Sequence, residues 1–64
     1  MRTLTDLERR VLQGLADRRI PESTAEFEAY QRLRDSGLAA YNPAERRVTP
    51  TVQGYKALDE AAQP

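Results

Sequence analysis

Apolar residues recur at Leu7, Val11, Leu12 and Leu15, with Arg9, Arg10 and Gln13 between them. That is the period of one helical face, and it predicts a helix over about Asp6 to Arg18. Thr5 and Glu8 stand at the spacing of a capping box in front of it, and Ile20-Pro21 ends it because the residue before proline avoids the helical region. Gly14 lies beside the stripe, where close helix packing would use it. A second stripe, Phe27, Tyr30 and Leu33, predicts a helix over Thr24 to Asp35. Ser23 and Glu26 form its capping box, and Gly37 takes the left-handed position just past its end. Counting back from Gly37, Leu33 and Leu38 are the pair that touch in a Schellman ending.

The period then changes. Leu38 to Tyr41 and Arg46 to Thr49 read as two short strands, with Leu38, Ala40 and Val48 inward and Tyr41 outward, around an Asn42-Pro43-Ala44-Glu45 turn. Pro50 closes the second strand because it has no N–H to give a ladder. Thr51 caps a third helix over Val52 to Ala62, whose inward face is read as Val52, Tyr55, Leu58 and Ala62. The expected core is Leu7, Val11, Leu15, Phe27, Tyr30, Leu33, Leu38, Val48, Val52, Tyr55 and Leu58. The expected fold class is therefore α+β, mostly α. Three helices carry a two-stranded hairpin between the second and third, in a single domain over residues 1–64 with a frayed tail at 63–64.

Composition narrows the chemistry. The chain has 64 residues, 39% apolar and 31% charged, which is globular rather than disordered. So short a chain buries only about 60% of the surface its unfolded form exposes, so its core is small. There is no cysteine and no histidine. That removes a disulfide framework, the usual metal ligands and the usual general base near neutral pH. Ser23 and Ser36 have no histidine to activate them, and no Gly-rich phosphate loop occurs. The expectation is a non-enzymatic protein without cofactor or metal. No apolar run is long enough for a membrane span, and the N-terminus lacks the apolar core of a secretory signal, so the expected setting is cytoplasmic.

The stretch "RLRDSGLAAYNPAERRVTPTVQGYKAL" resembles the wing region of winged helix-turn-helix domains of the MarR and PadR type. In those families a recognition helix ends at a Gly-Leu pair, a hairpin wing follows, and Thr-x-x-Gly opens the next helix. The matching positions are Gly37-Leu38, the Tyr41 to Val48 hairpin, and Thr51 with Gly54. The front, "LTDLERRVLQGLA", is similar to the family's first helix, and the resemblance runs roughly from Leu4 to Ala62. One departure stands out. The family places two helices between the first helix and the wing. Here Arg19 to Ser36 has room for one helix and at most a single turn at Ile20 to Thr24, so the helix-turn-helix is shortened.

The resemblance implies a small protein that binds double-stranded DNA, a transcriptional regulator from a bacterium or phage. Arg46 and Arg47 of the wing would lie on the sugar–phosphate backbone, with Arg32 and Arg34 as further phosphate contacts. Two features pull the other way. Ten basic residues are balanced by ten acidic ones, and Glu22, Glu26 and Glu28 crowd the start of the second helix, where they suit the helix dipole but would repel phosphate. The alternative is a winged-helix module turned to protein binding, such as a phage-encoded inhibitor of a host protein complex. It would use Tyr41, the arginines, Gln31 and the acidic helix start, as a monomer or homodimer.

Overall fold

The computed structural model describes residues 4–62. Helix α1 spans Asp6–Ala16, α2 Thr24–Asp35, strand β1 Ala39–Asn42, β2 Arg47–Pro50, and helix α3 Val52–Ala62. The class is α+β and mostly α, with the antiparallel β1–β2 hairpin between α2 and α3 as expected. The tail Gln63-Pro64 and the side chain of Ala62, expected on the inward face of α3, lie outside the described residues.

Local chemistry accounts for the ends of the helices. At the start of α1 the Glu8 N–H donates to Thr5 Oγ1 (3.1 Å) and the Thr5 N–H to Glu8 Oε1 (3.1 Å), a complete capping box. α1 stops two residues earlier than its periodicity predicts. Arg18 turns left-handed at φ 66°, and the Arg19 N–H bonds back to the Gly14 carbonyl at 2.7 Å. This is a Schellman ending without a glycine, so the sequence carries no mark of it. α2 begins with the Glu26 N–H on Ser23 Oγ, but the Glu26 carboxylate reaches the Glu22 N–H (2.9 Å) rather than that of Ser23. α2 ends as expected. Gly37 has φ 80° and the Leu38 N–H bonds to the Leu33 carbonyl at 2.9 Å.

α1 is the central element and packs against α2, β2 and α3. The buried core is Val11, Leu12, Leu15, Ala29, Leu33 and Ala39, with Leu4, Leu7, Tyr30, Leu38, Val48 and Leu58 packed around it. Three residues expected in the core lie outside it. Phe27 is 49% exposed, and Val52 and Tyr55 are also exposed. Phe27 and Val52 share one reason. A three-residue step turns about 300°, so two successive steps leave the first residue about 120° away from the third. Leu33 and Leu58 face inward, and Phe27 and Val52 have drifted off that face.

The strand phase also differs by one residue. Ala39 is buried and Ala40 is exposed. Directly paired residues share a sheet face. The pairs Ala39↔Pro50 and Tyr41↔Val48 therefore lie on the core side. Leu38 still belongs to the helix ending, so the alternation begins at Ala39. Tyr41 is exposed, as expected, although it shares the face of Ala39.

The Gly-Leu and Thr-x-x-Gly pairs meet in space. The Thr51 N–H donates to the Leu38 carbonyl (3.0 Å), and its hydroxyl donates to the Gly37 carbonyl (2.8 Å). That hydroxyl also accepts from the Gly54 N–H (3.1 Å), which caps α3. A side chain at Gly54 would overlap the Leu38 carbonyl oxygen and stand 3.2 Å from Pro50 Cβ. Only glycine lets α3 seat against the turn after α2. Gly14 is a different case. A Cβ there would meet only Arg19 Cβ, at an ordinary 3.6 Å, so close packing does not require it.

Candidate binding surface

The connection from Asp17 to Ser23 contains no helix. Of the two helices that the resemblance places before a wing, α2 alone is present. One flank of α2 and the connection itself are left open to solvent, and Ile20 is 77% exposed.

The hairpin tip is organised by Asn42. Its side-chain oxygen accepts from the Ala44 N–H (3.0 Å), and its carbonyl accepts from the N–H groups of Glu45 (3.2 Å) and Arg46 (2.8 Å). This places Arg46 in the left-handed region at φ 58°. Its side chain is exposed and makes no hydrogen bond or ion pair among the described residues. Arg47, its neighbour, begins β2 and turns inward. Its Nη1 donates to the Leu15 carbonyl near the end of α1, while Nε (3.2 Å) and Nη2 (2.9 Å) bond to Glu45 Oε1. Only 26% of its side chain is exposed. Arg18 approaches the same Glu45 oxygen at 3.9 Å. The adjacent arginine pair therefore divides, with one member free at the tip and the other capping a helix.

The arginines of α2 divide as well. Arg32 leans toward α1, with Nε 3.4 Å from Glu8 Oε2. Glu8 is 2% exposed, a carboxylate buried at the helix start it caps. Arg34 lies on the opposite flank, its guanidinium 5.7 Å from the centre of the Tyr30 ring. The Tyr30 ring in turn stands 5.7 Å from that of Phe27. Gln31, Arg34 and Tyr41 border one shallow depression between α2 and β1. Of the six candidate residues, the structure brings these three together. It places Arg46 at the tip, Arg47 inward, and Arg32 on the far side of α2.

The outermost ridge of α2 is Thr24, Glu28, Gln31 and Asp35, all exposed and at helical spacing. It carries two carboxylates and no base. Leu15, Ile20, Pro21, Tyr30 and Val48 line a cleft of about 100 Å³ edged by Arg18, Arg19 and Arg47. The sequence pattern assigns neither Phe27 nor Ile20 to a surface. The signal that could do so is phase, because Phe27 is out of step with Leu33, and Ile20 sits outside any helical stripe.

Among the described residues no three His, Cys, Asp or Glu side chains are grouped to hold a metal ion, and no helix is long and apolar enough to cross a membrane. Comparison with protein-family models, curated proteins and solved structures found no match.

Proposed function

We propose that this chain is a non-enzymatic protein-binding module on a winged-helix-like frame. The observation that carries the reading is the line of exposed and half-buried aromatic and arginine side chains Phe27, Tyr30 and Arg34, continued by Tyr41. Aromatic residues and arginine are enriched at protein interfaces and supply most binding hot spots, because they bury large areas and keep a polar or charged edge. Placement of the bases supports the same reading. Arg47 and Arg32 are engaged within the molecule, and the ridge that a recognition helix would turn to DNA carries Glu28 and Asp35.

The test is photo-cross-linking with a benzophenone amino acid at Tyr41, in extract of the source cell. The expected result is one dominant cross-linked protein, with the yield reduced by Phe27→Ser. Failure to cross-link any protein, together with tight and salt-sensitive duplex binding, would overturn it.

Duplex DNA is the second reading, and Arg46 is the observation in its favour. It projects from the tip of the hairpin, where a wing would meet the phosphate backbone. On that reading Arg46→Ala weakens binding alike on all sequences. It also flattens the slope of log K against log salt by about 0.9, the increment for one neutralised phosphate.

A further inference from the structure

We infer that the cleft between α1 and the start of α2 docks a second copy of this chain, with Ile20 of each copy seated in the cleft of the other. The inference goes beyond the protein-binding reading and does not depend on it. The lining of this cleft includes none of Phe27, Tyr30, Arg34 and Tyr41.

Three observations converge on this. The first is apolar shape. Ile20 is 77% exposed. Beside it, Val11, Gly14 and Pro21 line a cleft of about 130 Å³. A cavity of about 150 Å³ holds a benzene molecule, so this cleft suits one aliphatic side chain. The second is Gly14. Glycine inside a helix is less favourable than alanine. Packing among the described residues does not require it here, since a Cβ would meet only Arg19 Cβ at 3.6 Å. Gly14 lines the cleft, so its missing side chain is room left for an incoming group.

The third is charge. Arg10, Arg19, Glu22 and Glu26 edge the cleft, two of each sign. Arg19 is paired with Asp17 at 3.0 Å, and the Glu26 carboxylate accepts from the Glu22 N–H at 2.9 Å. The Arg10 guanidinium and the Glu22 carboxylate make no hydrogen bond or ion pair among the described residues. A free cation and a free carboxylate on one rim suit a two-fold contact, in which residue i meets residue j and j meets i. A second copy related by a two-fold axis sets Arg10 of each chain against Glu22 of the other. Nucleic acid would meet the two carboxylates. A purely acidic or purely basic segment would face a like charge on this rim.

The experiment is sedimentation equilibrium of the full 64-residue chain, over a series from roughly micromolar to roughly millimolar protein. The variants are Ile20→Ser, Gly14→Ala, Arg10→Glu and Glu22→Arg. Lys56→Gln, exposed on α3, is the control. Thermal melts followed by circular dichroism check that each variant is folded, and Ile20 is exposed enough that its loss leaves the core intact.

The expected result is a monomer–dimer equilibrium in the unaltered chain. Ile20→Ser weakens it by about tenfold or more, because the dimer loses the burial of that side chain twice. Gly14→Ala weakens it while the chain stays folded. Arg10→Glu and Glu22→Arg each weaken it, because each sets like charges together. An equimolar mixture of these two variants recovers association, because every contact in the mixed dimer again joins opposite charges. Lys56→Gln leaves the equilibrium unchanged.

A chain that stays monomeric across the series overturns the inference. So does a dimer that Ile20→Ser does not weaken, or a mixture of the two charge variants that does not associate. None of these outcomes bears on the protein-binding reading, which the cross-linking experiment decides.

Discussion

At Gly54 any Cβ runs into the Leu38 carbonyl, so backbone must move to admit one. Gly54→Ala is expected to destabilise the chain by about 1–3 kcal/mol, the usual cost of overpacking. At Gly14 the space for a methyl group exists and the backbone is ordinary helix. Gly14→Ala is expected to stabilise by up to about 1 kcal/mol, because alanine loses less backbone freedom on folding. Urea melts of the two variants should move in opposite directions. A third position isolates backbone strain. Arg46 is left-handed and its side chain touches no described partner, so Arg46→Gly is expected to raise stability by about 1 kcal/mol. An unchanged midpoint for that variant would mean that the tip is not held in this conformation.

At the scale of elements, one side chain hydrogen-bonds the hairpin to α1. Arg47 supplies a second donor to the Leu15 carbonyl, which already accepts from the Arg18 N–H (3.3 Å) where the helix ends, and holds Glu45 at the same time. Arg47→Ala is expected to cost about 1–2 kcal/mol, in the range for hydrogen bonds from charged donors. Arg46→Ala should leave the melting midpoint nearly unchanged, and equal effects of the two on stability would contradict the assignment. α2 offers a matching contrast. Leu33 is fully buried and Phe27 is half-exposed. Leu33→Ala is expected to cost about 2–5 kcal/mol, enough to unfold most of so small a domain. Phe27→Ala should cost about 1 kcal/mol, since it removes only a partial burial and one ring contact. Denaturation of the two variants under the same conditions checks the helix phase directly.

For the whole molecule, the centrality of α1 determines how it unfolds. α2, β2 and α3 all pack on α1, and the core is one cluster. Among the described residues no element has a second core to fall back on. Unfolding is expected to be a single cooperative transition, with helical circular dichroism and tyrosine fluorescence giving coincident midpoints. Earlier loss of the tyrosine signal would separate α3 or the hairpin from that core. The open flank of α2 belongs to this scale too. It exists because seven residues, 17–23, cross from α1 to α2 without a covering helix.

Element order, the bounds of α2 and α3, and the turn at Gly37 were legible in the sequence because each rests on contacts within a few residues. Thr5 with Glu8, Ser23 with Glu26, and Leu33 with Leu38 across Gly37 are short-range hydrogen-bonding arrangements that the chain writes in order. The Thr51 and Gly54 spacing was also legible, but its reason was not. It lies in the Gly37 and Leu38 carbonyls, 14 and 13 residues upstream of Thr51. Helix phase was decided only by packing. Both i+3 and i+4 spacings read as helical, and small Ala29 and Ala39, which carry little hydrophobic signal, are the residues that tertiary contact with α1 and its neighbours buried. The burial of Glu8 beside Arg32, and the division of Arg46 from Arg47, were settled the same way. A charged side chain reads as solvent-facing until a partner 24 or 32 residues away supplies the hydrogen bond that lets it turn inward.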